Sequence, residues 1–327
     1  MERSSAPGAH LVTLEDVRGA AERIRDGVIR TPLIDAESIA ACTGAAEVRL
    51  KCENLQRTGA FKARGGLNYL GQLDPDELKG GVITYSSGNH AQAVALAAKA
   101  YGVRAVVVMP TTAPRVKVEG AKALGAEVVF EGTTSLERKR RAEEISAAEG
   151  LHIVPPFDHP HIIAGQGTTG LEIVEDFPEV DLVLAPIGGG GLFSGICVAV
   201  RALRPGARII GVEPEGGASM RAALDADEVV TLDHISSIAD GLLPVRSGEL
   251  TFQHVRALAD DVVTVTDDAI RSATRDLLAH HHLVAEYSGG ATTAAVLSGA
   301  VDVTDRRVAI VISGGNLDPS LLPELMG

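Results

Sequence analysis

The stretch "GVITYSSGNHAQAVALAAKAYGVRAVVVMP", residues 81–110, decides the fold class. A β-rich run (GVITY) enters a polar turn (SSGNH), an Ala-rich helical segment follows, and a second β-rich run (VRAVVVMP) closes the unit. Strand, helix and strand in that order make a crossover in which the helix covers one face of a parallel sheet. The rhythm continues outward. "APRVKVEGAKALG" (113–125) reads as helix, "AEVVF" as strand, "TSLERKRRAEEISAAEG" as helix and "LHIV" as strand. It breaks at "PPFDHPHIIAGQGT" and resumes with strand "DLVLAPI", loop "GGGG", helix "LFSGICVAVRALRPG" and strand "ARIIGVEP". "DDAIRSATRDLLAHHH" and "GGATTAAVLSGA" read as helices, and "RVAIVIS" as a last strand. Near the start, "TLEDVRGAAERIRDG" reads as a helix capped by Thr13, with Asp16 in the reciprocal position and Gly27 ending it; the first dozen residues are expected to fray. The pattern predicts an α/β protein with parallel-rich twisted sheets flanked by helices. It predicts a small α/β domain over 79–155 and a large domain assembled from 1–78 and 156–327.

Composition narrows the function. The 327 residues are 45% apolar and 22% charged, which is globular, and a net charge of −13 repels nucleic acid. The basic run "ERKRRAEE" (137–144) is flanked by acids and reads as a solvated helix face. Cys42, Cys52 and Cys197 form no CxxC spacing, which argues against disulfides or zinc and for a reducing cytoplasm. The N-terminus carries no signal-like apolar core, and no apolar run is long enough for a membrane span.

In open α/β sheets ligands bind beyond the carboxyl ends of strands. Three polar or Gly-rich loops stand at such ends. In "PIGGGGLFSG" (186–195), four glycines expose backbone N–H groups at a helix start, an anion cradle suited to phosphate; a plain turn would need only one glycine. Glu213 ends the next strand, where an acid would hold a ribose, but the G-x-G-x-x-G spacing of a dinucleotide fold is not met: Phe193 or Ser194 stands at its last position. In "YSSGNHAQ" (85–92), Ser86, Ser87, Asn89 and His90 exceed what an N-cap requires and suit a carboxylate. In "VISGGNLDPS" (311–320), Ser313 offers a neutral hydroxyl, and a turn capped by Asn316 is an equal reading. "DHPH" (158–161) lacks a further metal ligand, and "HHH" (280–282) reads as a helix end. Ahead of all three loops lies Lys62, beside Phe61 and just before Gly65 and Gly66.

These loops, together with "KCENLQRTGAFKARGG", "SSGNHAQA", "TAPRVK", "AGQGT", "GGGGL", "VEPE", "IADGL" and "ISGGN", resemble the pyridoxal-phosphate enzymes of the tryptophan-synthase-β fold type (fold type II). The resemblance is strongest to the threonine/serine dehydratase and serine racemase group, and it runs from about residue 30 to near the end of the chain. It implies pyridoxal 5′-phosphate carried on Lys62 as a Schiff base, with Phe61 and Asn89 at the ring and Ser313 at its nitrogen. It implies that Gly188, Gly189, Gly190, Gly191 and the Leu192 amide hold the phosphate, and that Ser86, Ser87, Asn89 and His90 take the substrate carboxylate. A hydroxyl at the ring nitrogen favours loss of a β-substituent over transamination. The implied reaction is dehydration and deamination of a hydroxy amino acid such as L-threonine or L-serine. Ser87 on the opposite face permits racemisation, and threo-3-hydroxyaspartate is a further candidate substrate. A cytoplasmic homodimer is implied. The expected lack of a C-terminal regulatory domain implies no feedback control by isoleucine.

The sequence also departs from the pattern. Ala60 stands where a serine is common, and "AEYSGGA" replaces the usual "EPSGA" around Glu286. A Mg²⁺ or Ca²⁺ site through Glu213 and Gly217 would lack its aspartate, because Ser219 stands there. Arg138 matches a position where some racemases keep an arginine near the active site, where it would meet a second carboxylate. The rival classes are a nicotinamide-dependent dehydrogenase, which leaves Lys62 and Ser313 without a role, and a non-enzymatic two-lobe binding protein.

Overall fold

Strand pairing in the computed structural model sorts the chain into two sheets. The structure describes residues 11–86 and 88–326; residues 1–10, Ser87 and Gly327 lie outside them. The first sheet contains β1 (Leu33–Asp35), β2 (Glu47–Cys52), β7 (Leu182–Pro186), β8 (Arg208–Pro214), β9 (Asp261–Val265) and β10 (Arg307–Ile312), in the order β1-β2-β10-β7-β8-β9. The second contains β3 (Val82–Tyr85), β4 (Ala105–Met109), β5 (Glu127–Phe130) and β6 (His152–Ile153), in the order β5-β4-β3-β6. Every pairing is parallel except β1 with β2.

The period of two along each strand explains why the larger sheet is covered on both faces. Val308, Ile310 and Ile312 of β10 join Leu182 and Leu184 of β7 in one core, under the helices Asp267–His281 and Tyr287–Leu297. Ala309 and Val311 join Val183 and Ala185 in another, with Phe193 and Ile196 of the helix Gly191–Leu203. In the smaller sheet all five residues of β4 are buried, as expected of a central parallel strand.

Two expectations about helix limits need correction. Thr13 and Asp16 do form the reciprocal cap, but the helix ends at Ile24, and Gly27 instead closes a turn by donating its N–H to the Ile24 carbonyl at 2.8 Å. The segment 155–168 is not simply a break: the helix Pro160–Asp176 begins inside it and is buried from Ile162 to Ile173. Its glycines, which weaken helix propensity in isolation, allow close helix packing. A Cβ on Gly165 would stand 2.7 Å from Gly65 Cα, and one on Gly167 2.9 Å from the Gly195 carbonyl.

That buried helix supports the helix Lys62–Leu70. Arg64, fully buried, donates to Glu53 at 2.7 Å and to Glu172 at 2.6 Å, and Lys51 donates to Glu172 as well. Two cations and two carboxylates thus neutralise one another beneath the first turn, two residues from Lys62. No helix among the described residues is long and apolar enough to cross a membrane.

Candidate active site

The carboxyl ends of β3, β7 and β10 open into one cavity of about 580 Å³ lined by Lys62, Asn89, His90, Ser313 and the loop Gly188–Gly191. Lys62 is the first residue of its helix. Its Nζ donates to the Pro156 carbonyl at 2.9 Å and lies 5.1 Å from the centroid of the Phe61 ring. Burial lowers its pKa from the ordinary 10.5 to about 8, because desolvation penalises the ammonium form. An amine so placed is a usable nucleophile near neutral pH.

The glycine loop follows β7. Gly190 has φ +96°, a left-handed conformation that a side chain would strain. A Cβ on Gly189 would lie 2.2 Å from the Phe157 ring. Thr251 Oγ donates to the Gly189 carbonyl at 2.7 Å and steadies the loop. Two helix N-termini meet here, and they differ. The helix Glu249–Leu258 already has an anion: the Asp158 carboxylate accepts from the N–H groups of Glu249, Leu250 and Thr251 at 3.0, 3.0 and 3.1 Å. The helix Gly191–Leu203 has no side-chain cap, so its dipole and N–H groups are available to a phosphate. "DHPH" is accordingly a capping segment: Asp158 caps one helix, and His159 accepts from His161 N at the start of another.

Ser313, 3% exposed, follows β10, and its hydroxyl lies 3.4 Å from the Ser288 carbonyl. In the turn after β3, Ser86 Oγ accepts from Gly88 N at 3.2 Å. The helix Asn89–Tyr101 begins at Gly88 with no side-chain cap, so Ser86 is not a conventional cap; Ser87 lies outside the described residues. His90 is buried, with Nδ1 unpartnered among the described residues. Burial, reinforced by Lys62, pushes its pKa down to about 3, so the ring is neutral. Asn89 donates Nδ2 to Glu286 Oε1 and accepts at Oδ1 from Asn316 Nδ2 at 3.0 Å. Asn316 therefore braces Asn89, where the sequence left a turn cap as an equal reading.

Three further residues named from the sequence have settings that only the structure describes. Glu213 is buried and does not line the cavity; its two oxygens accept from Met220 N and Arg221 N, both at 2.8 Å, at the start of the helix Ser219–Ala226. Burial raises its pKa to about 7. It therefore holds no ribose at the glycine loop. Gly217 belongs to the neighbouring 3₁₀ turn Glu215–Gly217, and no group of three or more His, Cys, Asp or Glu among the described residues could hold a metal. Arg138 departs from the solvated face assigned to its run. Lys139, Arg140 and Arg141 pair with Glu143 or Glu144, whereas Arg138 turns inward, 8% exposed, onto the cavity wall. Its Nη1 donates to the Thr133 carbonyl at 3.1 Å; among the described residues its Nε is unpartnered and no carboxylate lies within 4.0 Å.

Sequence reasoning missed Lys117. This buried ammonium on the helix Arg115–Ala123 lies 2.6 Å from Asp240 and 3.2 Å from Glu286. Burial opposes its charge, but the two carboxylates outweigh that effect and raise its pKa. Its only sequence signals were the segments "TAPRVK" and "IADGL", far apart in the chain.

A desolvated lysine, an uncapped helix start behind a side-chain-free loop and a buried neutral hydroxyl share this cavity. That donor set fits pyridoxal 5′-phosphate, and with the two-sheet fold it defines a fold type II pyridoxal-phosphate enzyme. The chain belongs to the family described as pyridoxal-phosphate dependent enzymes, whose profile matches residues 24–314. It is 42% identical over 316 residues to an L-threonine ammonia-lyase from Thermotoga maritima, covering 97% of this chain and 78% of that protein. It is 40% identical over 308 residues to a serine racemase from Schizosaccharomyces pombe, covering 94% of this chain and 95% of the relative. The structure of maize serine racemase superposes with a TM-score of 0.92 at 37% identity, over 97% of both chains. The chain is a pyridoxal-phosphate-dependent enzyme of the threonine dehydratase and serine racemase group.

Proposed function

We propose that the protein removes water from a β-hydroxy amino acid such as L-threonine or L-serine and yields a 2-oxo acid and ammonia. The observation that carries this reading is the pairing, in one cavity, of the desolvated Lys62 amine with Ser313, a hydroxyl where a carboxylate would favour transamination. The N–H groups of Gly188–Gly191 and Leu192 would hold the phosphate, Phe61 and Asn89 the ring face and phenolic oxygen, and Ser313 the ring nitrogen. When bound, pyridoxal 5′-phosphate supplies an electron sink for charge developing at the substrate Cα.

The protein's own groups do the rest. Ser86 and the backbone N–H groups of Asn89 and His90 receive the substrate carboxylate at the start of the Asn89–Tyr101 helix, while the neutral His90 ring, its Nε2 facing the Val154 carbonyl at 3.5 Å, adds no charge. Lys62, steered by the Pro156 carbonyl, takes the Cα proton. The β-hydroxyl departs as water on receiving a proton, which balances the one Lys62 took from Cα; the released enamine tautomerises to the imine, and one water hydrolyses that to the 2-oxo acid and ammonia. Return of a proton to the opposite face of Cα would instead give the D-amino acid, and Ser87 is the residue the sequence offers for it.

A second reading rests on Arg138. A buried guanidinium without a carboxylate partner is costly, and a second substrate carboxylate would relieve that cost. It favours an acidic hydroxy amino acid such as threo-3-hydroxyaspartate. Purified protein assayed on L-threonine, L-serine and threo-3-hydroxyaspartate, with ammonia, 2-oxo acid and D-amino acid measured together, tests all three readings. D-product without 2-oxo acid would overturn the lyase reading. Protein that stays colourless with added pyridoxal phosphate would overturn the whole assignment. We read the active form as a homodimer, which light scattering checks.

A further inference from the structure

Asn89 sits in the middle of a buried polar chain. At one end, Asn316 Nδ2 donates to the Thr58 carbonyl at 2.8 Å and to Asn89 Oδ1 at 3.0 Å. At the other, Asn89 Nδ2 donates to Glu286 Oε1, while Glu286 Oε2 pairs with Lys117 Nζ at 3.2 Å and Lys117 reaches Asp240 at 2.6 Å. Glu286 and Lys117 are 3% and 2% exposed.

The chain can run in only one direction. A backbone carbonyl accepts and never donates, so Asn316 must turn its NH₂ toward Thr58. A carboxylate also only accepts, so Asn89 must turn its NH₂ toward Glu286. With Asn89 reversed, its oxygen would face the Glu286 carboxylate and its NH₂ would face that of Asn316. Two contacts would become repulsive at once, in a low-dielectric setting where such errors are expensive. The amide has a second N–H, which has no partner among the described residues, and Asn89 lines the cavity beside Lys62.

The chain also crosses between the sheets. Thr58, Glu286 and Asn316 lie in turns of the six-stranded half, beside Lys62, the Tyr287–Leu297 helix and β10. Asn89 and Lys117 lie on helices of the four-stranded half. The setting of one amide therefore depends on groups contributed by both.

We propose that Glu286, paired with Lys117, and Asn316 are positioning residues that fix the Asn89 side chain so that it offers an N–H, never its oxygen, to an anionic oxygen in the cavity. That oxygen is the phenolate of the pyridoxal ring, a choice that rests on the function proposed above. Glu286→Gln keeps the shape but supplies an NH₂ of its own, which frees Asn89 to turn.

The test has two arms. The chain contains four asparagines, Asn54, Asn68, Asn89 and Asn316, so asparagine-selective ¹⁵N labelling resolves every side-chain amide. In cofactor-free protein the Asn89 pair, identified by its loss in Asn89→Ala, should show one proton protected from solvent exchange. Glu286→Gln should abolish that protection and leave Asn54 and Asn68 unchanged. In the loaded protein, Glu286→Gln should weaken pyridoxal phosphate about tenfold, the scale of one hydrogen bond to a charged group. It should also shift the pH dependence of the cofactor's absorbance. Neither effect should appear when Glu286→Gln is added to Asn89→Ala. Asn316→Ala enters from the other end and should act in the same direction. An unchanged Asn89 amide in Glu286→Gln, or an equal Glu286→Gln effect with and without Asn89, overturns the proposal. Wild-type protein that takes up no pyridoxal phosphate overturns the functional reading and the choice of ligand, while the cofactor-free arm still decides the setting of the amide.

Discussion

Phe61 donates its backbone N–H to the carbonyl of Ser313 at 3.1 Å, so the residue before Lys62 is stitched to the residue after β10. More than two hundred and fifty positions of sequence lie between them. The bond ties the main chain that carries the amine to the main chain that carries the hydroxyl, the two groups on which the proposed chemistry depends, and tests of that arrangement and its surroundings can be stated.

Capture of pyridoxal phosphate by the cofactor-free protein should follow the neutral fraction of Lys62. With its pKa lowered to about 8, the loading rate should rise with pH through that value and level off above it. Stopped-flow absorbance measures this directly. A midpoint near the ordinary 10.5 would show that burial does not activate the amine. Lys62→Ala should give no borohydride-stable adduct.

Gly189→Ala should force its new Cβ into the Phe157 ring, 2.2 Å away. Overpacking of this kind costs about 1–3 kcal/mol. Chemical denaturation should show that loss, and cofactor titration should show weaker binding. Adding Phe157→Ala should recover much of the stability, because the clash partner is gone.

Arg64→Met should destabilise the fold by about 3–5 kcal/mol, since Glu53 loses its ion-pair partner and keeps only the Thr31 hydroxyl, and Glu172 retains only Lys51 in a dry interior. Urea unfolding measures it. A change below 1 kcal/mol would show that the buried charges contribute little.

Glu213 gives a pH signature of defined sign. Its folded-state pKa, about 7, lies above the ordinary 4.5, so its contribution to stability is complete below 4.5 and is lost as pH rises through 7. The full swing is roughly 3 kcal/mol. Glu213→Gln should flatten the fall in unfolding free energy between pH 5 and 8 relative to wild type. Parallel slopes for the two proteins would refute the assignment.

Arg138→Met should lower turnover of threo-3-hydroxyaspartate at least tenfold more than turnover of L-threonine, if the guanidinium meets a second carboxylate. Equal losses on both substrates would confine Arg138 to a packing role.

Strand–helix alternation and the loops at strand ends were legible in the chain itself, because period-two apolar runs and glycine clusters are local signals. Residues 81–110 announced the crossover unit, and "GGGG" announced an anion cradle. Three things were decided only by tertiary packing. The helix Pro160–Asp176 survives its glycines because close neighbours repay them, which no propensity scale records. Arg138 turns inward while its three basic neighbours face acids on the surface, a difference of helix face that the basic run conceals. The chain from Thr58 through Asn316, Asn89 and Glu286 to Lys117 joins five segments whose spacing in sequence carries no information about hydrogen-bond direction. The residues that can do chemistry are fixed by covalent sequence, whereas the protonation state and orientation in which they face a ligand depend on which groups the fold buries beside them.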